Sequence, residues 1–316
     1  MEQVKRRSLS VVVPVFNSAA ILPNLVERLE PVLRDHCSEF EVLLVEDGSR
    51  DNSWSVIQEL ARSRAWLRGM YLMRNYGQHN ALLCGIREAR HDLIVTIDDD
   101  LQHPPEELPK LLAELERGYD VVYGTPAKER HGFLRDLASV ITKLSLQKAM
   151  GAEIARKVSA FRVFHRKLRS AFADYHGQFV SIDVLLTWAS TRFAAVAVRH
   201  DARVEGVSNY TFGKLVTHTL NMLTGFSTFP LQLASLTGFG FTLFGLGILG
   251  YVLIRHLVHG SVVPGFAFLA SVIAIFSGAQ LFALGIIGEY LARMHFRMME
   301  RPSYAVRSTT WEGPRE

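Results

Sequence analysis

The sequence has little cysteine and no concentrated run of positive charge. It has two cysteines, Cys37 and Cys84, in 316 residues, and their number and spacing suit neither a disulfide framework nor a metal site. We therefore expect reduced thiols, as in a cytosolic domain. The net charge of +4 comes without a lysine- and arginine-rich run or an aromatic-basic stripe, so the sequence predicts no nucleic-acid partner.

Two glycine-rich phosphate-binding motifs are also missing. No GxGxxG follows the first predicted strand, which argues against a dinucleotide-binding fold, and no GxxxxGKS or GxxxxGKT occurs, which excludes a P-loop. The sequence also shows no Ser-His-Asp or Cys-His arrangement for nucleophilic catalysis. Any chemistry must therefore depend on other polar groups.

Asp, Glu, Lys and Arg are absent from two long stretches near the C-terminus. None occurs from Thr219 to Ile254 or from His256 to Gly288, and each stretch exceeds the ~20 residues that cross a bilayer. These stretches account for a mean hydropathy of +0.12, which is high for a soluble enzyme. They predict two transmembrane helices, 229–254 and 263–288, with two buried helices of a soluble protein as the alternative.

Arginine is distributed unevenly around this predicted hairpin. The loop carries only Arg255, whereas the tail carries Arg293, Arg297, Arg301, Arg307 and Arg315. By the positive-inside rule the tail lies in the cytoplasm, and two spans return the chain to the side where it began. The sequence therefore predicts a multi-pass membrane protein whose N-terminal domain and both termini are cytoplasmic.

The N-terminal part alternates short apolar runs with helical patterns. Strands are predicted at Leu9–Val15, Glu41–Val45, Leu67–Met73, Leu93–Ile97, Val121–Tyr123 and Val196–Arg203. This order predicts an α/β fold with a mostly parallel sheet. Phe161–Arg169 mixes aromatic and basic residues and predicts an amphipathic helix, either on an anionic membrane surface or on the domain itself.

The chain divides by composition into four parts. We expect a globular domain at 1–210, a juxtamembrane amphipathic segment at 211–228, two transmembrane helices within 229–291 and a cytoplasmic tail at 292–316. The lipid bilayer is therefore the first predicted partner.

Three consecutive aspartates follow the fourth predicted strand, in the stretch TIDDDLQHPP at 96–105. Adjacent carboxylates repel each other unless cations or hydrogen-bond donors compensate, so Asp98, Asp99 and Asp100 indicate a divalent-metal site. Capping of the helix that follows is the alternative. Asn17 and Asp47 also come just after predicted strands, and the carboxyl ends of parallel strands form one ligand-binding crevice.

The motifs at this edge resemble glycosyltransferase family 2, and more narrowly its polyisoprenyl-phosphate glycosyltransferases. The matching stretches are VVVPVFN (11–17), VEDGSRDNS (45–53), RNYGQHNALLCGI (74–86), DDDLQHPPEE (98–107), GYDVVYG (118–124), RVEGVSNY (203–210) and FSGAQLFALGIIGEYLAR (276–293). RNYGQHNA and the C-terminal stretch resemble the aminoarabinose-transferase branch, whereas VPVFN and EDGS are typical of the wider family. The resemblance extends over nearly the whole chain.

The resemblance implies a GT-A domain, a Rossmann-like nucleotide-sugar-binding fold, followed by the membrane hairpin. Its implied substrate contacts are Pro14, Phe16, Asn17, Asp47, Asp98, Asp99, Arg203 and Asn209. Its implied site for Mg²⁺ or Mn²⁺ consists of Asp100 and Gln102, with Asp98. Arg130 and Arg135 fall where the family places phosphate contacts.

Four positions depart from the family pattern. Ser18 stands where a glutamate is usual, and Asp99 stands where alanine is common. His103 replaces an aspartate or asparagine. Asn209 replaces a lysine that would contact phosphate, so phosphate binding there is weaker or is taken over by Arg203.

The implied reaction transfers a sugar from a nucleotide-sugar to a polyprenyl phosphate such as undecaprenyl phosphate, with inversion. This acceptor is already anionic and needs no strong general base, only a metal for the leaving diphosphate and cations such as Arg130 and Arg135. Three roles stay open for Asp183, in FVSID: a general base, a hydrogen-bond acceptor for a sugar hydroxyl, or a helix cap. The resemblance further implies the bacterial inner membrane and a homo-oligomer, a tetramer in related enzymes.

Two other functions stay open at this point. One is a membrane glycosyltransferase that acts on a glycan hydroxyl, which would want a firm carboxylate base. The other is a non-catalytic membrane protein that only binds a nucleotide-sugar. The intact Asp98, Asp100 and Gln102 set argues against the second.

Overall fold

A computed structural model gives the fold of residues 7–126, 157–177, 180–201, 229–259, 265–299 and 301–311. The chain forms two compact units. The first takes residues 1–215 together with 300–316, and the second takes residues 216–299. Of the tail that we expected at 292–316, residues 300–316 are grouped with the first unit.

One mixed sheet organises the first unit. Its described strands are β1 (Ser8–Val15), β2 (Glu39–Glu46), β3 (Leu67–Leu72), β4 (Leu93–Thr96), β5 (Val121–Pro126), β6 (Arg162–His165), β7 (Phe193–Val198) and β8 (Val306–Thr309). They lie in the order β7-β5-β6-β4-β1-β2-β3-β8. Only β6 and β8 run against their neighbours among these strands, so the sheet is mostly parallel, as predicted.

Helices connect the parallel strands and cover the sheet. They are α1 (Leu22–His36), α2 (Ser53–Ser63), α3 (Gln78–Glu88), α4 (Leu108–Glu116) and α5 (Ile182–Ala189), with 3-10 turns at Pro105–Glu107 and Arg166–Phe172. In α1, Leu22, Leu25 and Leu29 are one helical turn apart, so they form a single buried face against the sheet. Fully burying one such side chain contributes about 1.5–3 kcal/mol.

The registers of the central strands decide which turns become neighbours. Val15 at the end of β1 pairs with Glu46 at the end of β2, so the turns after these strands emerge together. Val12 pairs with Thr96, the last residue of β4, so the chain after β4 runs beside the end of β1. The turns after all three strands therefore meet at one edge of the sheet, where α/β proteins bind their ligands.

Two predicted elements differ from the observed ones. The prediction of a helix at Phe161–Arg169 is wrong, because this stretch forms strand β6 and then a 3-10 turn. β6 is inserted between β4 and β5, and Arg162 is buried there with an acidic partner, which an isolated helical pattern cannot reveal. The strand predicted at Val196–Arg203 exists but is displaced toward the N-terminus, at Phe193–Val198.

The second unit contains the two apolar helices, α6 (Phe229–His259) and α7 (Phe266–Met298). Each holds an 18-residue window apolar enough to cross a membrane, at Leu231–Ile248 and at Ile275–Ala292. Only 6% of the first window and 0% of the second is buried within the protein, which does not fit two core helices of a soluble domain. The rings of Phe241 and Phe276 lie 5.6 Å apart and join the pair.

Candidate active site

The turn after β1 is built around Asn17. Its backbone adopts a left-handed conformation, with φ at +56°, which asparagine tolerates better than most residues. The Asn17 N–H donates to Ser49 Oγ at 2.9 Å, and its own Oδ1 accepts the Arg50 N–H at 2.8 Å. These bonds tie the turn after β1 to the turn after β2 and leave the Phe16 side chain 39% exposed at the crevice.

Asp47, at the end of β2, is buried and binds backbone rather than a basic side chain. Its two carboxylate oxygens accept the Tyr76 N–H at 2.7 Å and the Gly77 N–H at 2.8 Å. Burial, with a smaller contribution from nearby Glu46, raises the pKa of Asp47 to about 6, against the opposing effect of these two hydrogen bonds. The next residue, Gly48, has φ at +69°, and a Cβ there would lie 2.5 Å from the Asn75 nitrogen. The EDGS turn therefore requires glycine.

The three aspartates after β4 point to three different partners. Asp99 Oδ2 accepts the Ser18 hydroxyl at 2.5 Å and the Phe16 N–H at 3.3 Å. Asp98 Oδ1 accepts the Gln78 side-chain amide at 2.6 Å, and Asp100 Oδ1 accepts the Gln102 N–H at 3.1 Å. Neutral donors therefore bind all three carboxylates.

Asp99 differs from its neighbours by the identity of its partner, a serine hydroxyl. Burial raises the pKa of Asp99, although the Ser18 hydroxyl and the Phe16 N–H act in the opposite direction. Ser18 and Asp99 are both departures from the family pattern, and the structure brings them into contact. The helical segment that follows starts at Pro105 with Pro104 at its N-cap position, so capping does not explain three aspartates.

The described residues at this edge offer part of the ligand set of a divalent metal. Within the part of the chain that the structure describes, no group of three or more His, Cys, Asp or Glu side chains is placed to hold a metal. Asp100 is buried and Asp98 and Gln102 are half-buried, so they offer hard oxygens from one turn. Mg²⁺ typically takes one or two carboxylates and completes its coordination with water and substrate phosphates, which this set fits.

His103 lies on the side of the crevice toward β6 and β7. Its Nε2 hydrogen-bonds Ser159 Oγ at 3.1 Å, and its ring meets those of Phe161 and His200 edge-on, at 5.7 and 4.9 Å. Burial, and then His200, lower the pKa of His103 to about 4. His103 is therefore neutral near pH 7 and acts as a wall of the crevice, a role that its place in DDDLQH did not suggest.

Asp183 lies in the first turn of α5 and belongs to a buried network. It accepts hydrogen bonds from the Arg162 guanidinium and, at 3.1 Å, from the Tyr123 hydroxyl. Arg162 is 1% exposed and also donates to Thr96 Oγ1 at 3.0 Å, next to the aspartates. The N-cap position of α5 is Ser181, so Asp183 is not its cap residue.

Of the remaining predicted site residues, one lies in the part of the chain that the structure describes and the others do not. Pro14 is buried inside β1, opposite Val45. Arg130, Arg135, Arg203 and Asn209, like the juxtamembrane segment 211–228, lie outside the described residues. Sequence reasoning missed Gln78 as a partner of Asp98, although its place at the start of α3, after the turn that follows β3, is a signal for this edge.

Comparisons with known proteins agree with this architecture. The family model described as Glycosyl transferase family 2 matches residues 10–174. The chain is 35% identical over 302 residues to the undecaprenyl-phosphate 4-deoxy-4-formamido-L-arabinose transferase of Shewanella sediminis, covering 94% of this chain and 91% of that protein. It is 34% identical over 306 residues to the transferase of the same name from Proteus mirabilis, covering 96% and 94%.

Solved structures show the same fold at low sequence identity. Glucosyl-3-phosphoglycerate synthase from Mycobacterium tuberculosis, solved with Mn²⁺, UDP and glucosyl-3-phosphoglycerate, superposes with a TM-score of 0.52 at 19% identity. The superposition covers 69% of this chain and 78% of that one. This similarity supports the GT-A fold.

Proposed function

This chain belongs to glycosyltransferase family 2 and is a glycosyltransferase, and from that membership we propose that it transfers a sugar from a nucleotide-sugar to a polyprenyl phosphate. The relatives that match over nearly their whole length are named for undecaprenyl phosphate, which supports this acceptor. The alternatives of a glycan hydroxyl acceptor and of a non-catalytic binding protein are outcomes of the experiment below.

We assign the nucleotide-sugar to the edge formed by the turns after β1, β2 and β4. Phe16 offers an exposed ring, and Asp47 and Asp99 offer carboxylates whose charge no basic side chain neutralises through a described ion pair. Pro14 and Asn17 shape this turn through the backbone. Such groups suit the hydroxyl and N–H donors of a nucleoside.

We assign a divalent metal, Mg²⁺ or Mn²⁺, to Asp100 and Gln102 with Asp98. When bound, it would neutralise the negative charge that develops on the leaving diphosphate. Arg130, Arg135 and Arg203 are our candidates for further phosphate contacts, because guanidinium groups bind phosphate oxygens in pairs. Asn209 would contribute only a neutral contact there.

The choice of acceptor rests on one observation, the contacts of the Asp183 carboxylate. Its carboxylate is held by the buried Arg162 and by Tyr123. Taking up a proton would leave the guanidinium without its counter-charge, and breaking a buried ion pair costs about 3–5 kcal/mol. This arrangement disfavours Asp183 as a general base, which a hydroxyl acceptor needs and a phosphate acceptor does not.

The proposed step is a single displacement. An oxygen of the lipid phosphate forms a bond to the anomeric carbon while the bond from that carbon to the diphosphate breaks. The nucleoside diphosphate leaves, no proton has to be removed, and the anomeric configuration inverts. The product keeps its polyprenyl chain, which is consistent with an enzyme anchored by α6 and α7.

We further propose that α6 and α7 cross the bacterial inner membrane with the first unit in the cytoplasm. β8 follows both helices in sequence and yet belongs to the sheet of the first unit, so a pair of crossings suits the chain path. A homo-oligomer, a tetramer by resemblance, remains our proposal for assembly.

The decisive experiment uses the full chain in detergent with Mn²⁺, undecaprenyl phosphate and a set of UDP-, GDP- and dTDP-sugars. Release of nucleoside diphosphate is measured with and without the lipid. Lipid-dependent release from one nucleotide-sugar supports the proposal and identifies the sugar. Release that does not depend on the lipid would contradict the phosphate acceptor and favour a hydroxyl acceptor, and nucleotide binding without any release would point to a binding protein.

A further inference from the structure

The residues that follow the second apolar helix cover an edge of the sheet, and the proposed reaction gives them no role. β8 runs antiparallel to β3, with Met70 opposite Thr309 and Tyr71 opposite Ser308. An uncovered edge strand exposes unpaired N–H and C=O groups, so the tail protects β3.

Beyond β8 the tail packs closely on the same strand. The Gly69 N–H donates to Thr310 Oγ1 at 2.9 Å, and the Thr310 N–H donates to the Gly69 oxygen at 3.0 Å. A Cβ at position 69 would clash with Ile57 Cγ2 and lie 2.9 Å from Thr310 Cγ2, so any larger residue there would displace side chains of α2 and of the tail. The Arg68 guanidinium lies 3.8 Å from the centroid of the Trp311 ring, a cation–π contact that fixes the end of the tail.

At its other end the tail holds Met73, the residue that follows β3. The Met73 N–H donates to the Ala305 oxygen at 2.9 Å, and Arg307 Nη2 donates to the Met73 oxygen at 3.1 Å. Arg307 Nη1 also donates to the Tyr71 hydroxyl at 3.2 Å, and the guanidinium lies 4.8 Å from the centroid of the Tyr71 ring. The tail therefore takes both backbone polar groups of Met73.

Met73 is the first residue of the 73–77 segment, which supports Asp47. The N–H groups of Tyr76 and Gly77 bind the Asp47 carboxylate. Gly48 lies against Asn75 so closely that no side chain fits between them. A displacement of Met73 would therefore reach Asp47 through four residues of tightly packed backbone.

We propose that Arg307 is a positioning residue of the nucleotide-sugar site. By holding Met73, it keeps the 73–77 segment in place for Asp47, so the tail that follows the membrane helices sets the affinity for the nucleotide-sugar. This inference rests on the proposed function, in which Asp47 contacts the nucleoside. Arg307 is exposed and distant in sequence from the reacting groups, so its loss acts on binding and not on the chemical step.

The test compares Arg307→Ala, Arg307→Lys and the control Arg34→Ala in the full chain in detergent. Arg34 is an exposed arginine paired with Glu30 inside α1. We expect Arg307→Ala to raise KM for the nucleotide-sugar about five-fold, as for the loss of one ordinary hydrogen bond, with kcat and KM for the lipid unchanged. Arg307→Lys should recover most of this loss, because an ammonium still donates to the Met73 oxygen, and Arg34→Ala should change nothing.

A second readout does not depend on turnover. Hydrogen exchange at the Tyr76 and Gly77 amides should become about five-fold faster in Arg307→Ala, while exchange in β1 stays as in the wild type. Unchanged exchange at these amides overturns the inference, and so does an equal rise of KM for both substrates. A wild-type chain that transfers no sugar would contradict the proposed function and leave the exchange test valid. If Arg307→Ala does not fold, Tyr71→Phe removes only the hydroxyl that holds Arg307 and should give a smaller change of the same kind.

Discussion

Asp100 and Asp183 are equally buried, each 8% exposed, but their described hydrogen-bond partners differ. Asp183 lies between the Arg162 guanidinium and the Tyr123 hydroxyl, in the interior beside β5 and β6. Asp100 lies in the turn after β4 and accepts the neutral N–H of Gln102. A guanidinium compensates the charge of a carboxylate, whereas a neutral N–H mainly orients it. At equal burial, the described contacts place Asp183 in a structural ion pair and Asp100 in a turn, where we propose that it binds a cation.

The largest effect is expected at the turn after β4. Asp100→Ala should lower turnover by at least about 10³-fold, because it removes the carboxylate that we propose holds the metal. The melting temperature should stay close to that of the wild type, since the described partner of the Asp100 carboxylate is the neutral N–H of Gln102 in the same turn. Release of nucleoside diphosphate, measured over a series of Mn²⁺ concentrations, checks this. Unchanged metal-dependent release would remove Asp100 from the site.

The buried pair should respond in the opposite way. Asp183→Ala should destabilise the first unit by about 3–5 kcal/mol, because Arg162 stays buried without its counter-charge. Thermal unfolding in detergent checks this, with Glu106→Ala as the control. That variant breaks the exposed pair with Arg28 and should cost no more than about 1 kcal/mol. A stable Asp183→Ala protein without turnover would instead make Asp183 a base and favour a hydroxyl acceptor.

Asp47 provides a test by pH, because its pKa is raised to about 6 from an ordinary value of 3.8. Between these two values the folded chain binds a proton that the unfolded chain does not, so the ionised carboxylate costs the fold about 1–3 kcal/mol near pH 7. The melting temperature of the wild type, relative to that of Asp47→Asn, should therefore rise as the pH falls from about 7 to about 5. A difference that stays constant over this range would show that Asp47 is ionised in the fold without cost.

The smallest effect is expected at the contact between Ser18 and Asp99. Ser18→Ala removes one hydrogen bond to the carboxylate and should cost about 0.5–1.5 kcal/mol, or a few-fold in affinity for the nucleotide-sugar. Ser18→Glu should be worse, because it sets a second carboxylate against Asp99. The exchange of both, Ser18→Glu with Asp99→Ala, should restore affinity by moving the one carboxylate across the contact. A double mutant no better than Ser18→Glu would show that the two departures are independent.

The sequence predicted the elements whose pattern is local. The runs that became β1, β2 and β4 are buried on both faces and end at polar turns, so their apolar composition identified them directly. Their order along the chain was enough to expect Asn17, Asp47 and the aspartates at one edge of a parallel sheet. The two long apolar helices followed from length and composition in the same way.

The elements that the sequence did not reveal depend on distant partners. β6 contains an arginine that is stable in the interior only because Asp183, on another element, faces it. β8 lies beyond both apolar helices, and nothing in four residues of tail indicates that they pair with β3. Gln78, Ser18 and Asp99 are polar residues whose roles are set by turns that meet only after the sheet has formed.

The sequence by itself determined the α/β class, the acidic edge, the apolar hairpin and the family, because each of these is written in local composition, order or motif. Only the tertiary structure decided which carboxylate meets a guanidinium, as Asp183 does, and which accepts backbone N–H groups, as Asp47 does. It also decided that the tail closes the sheet and holds Met73. Hydrogen bonds and ion pairs join residues far apart in the chain, so their identity depends on the registers of the strands that carry them.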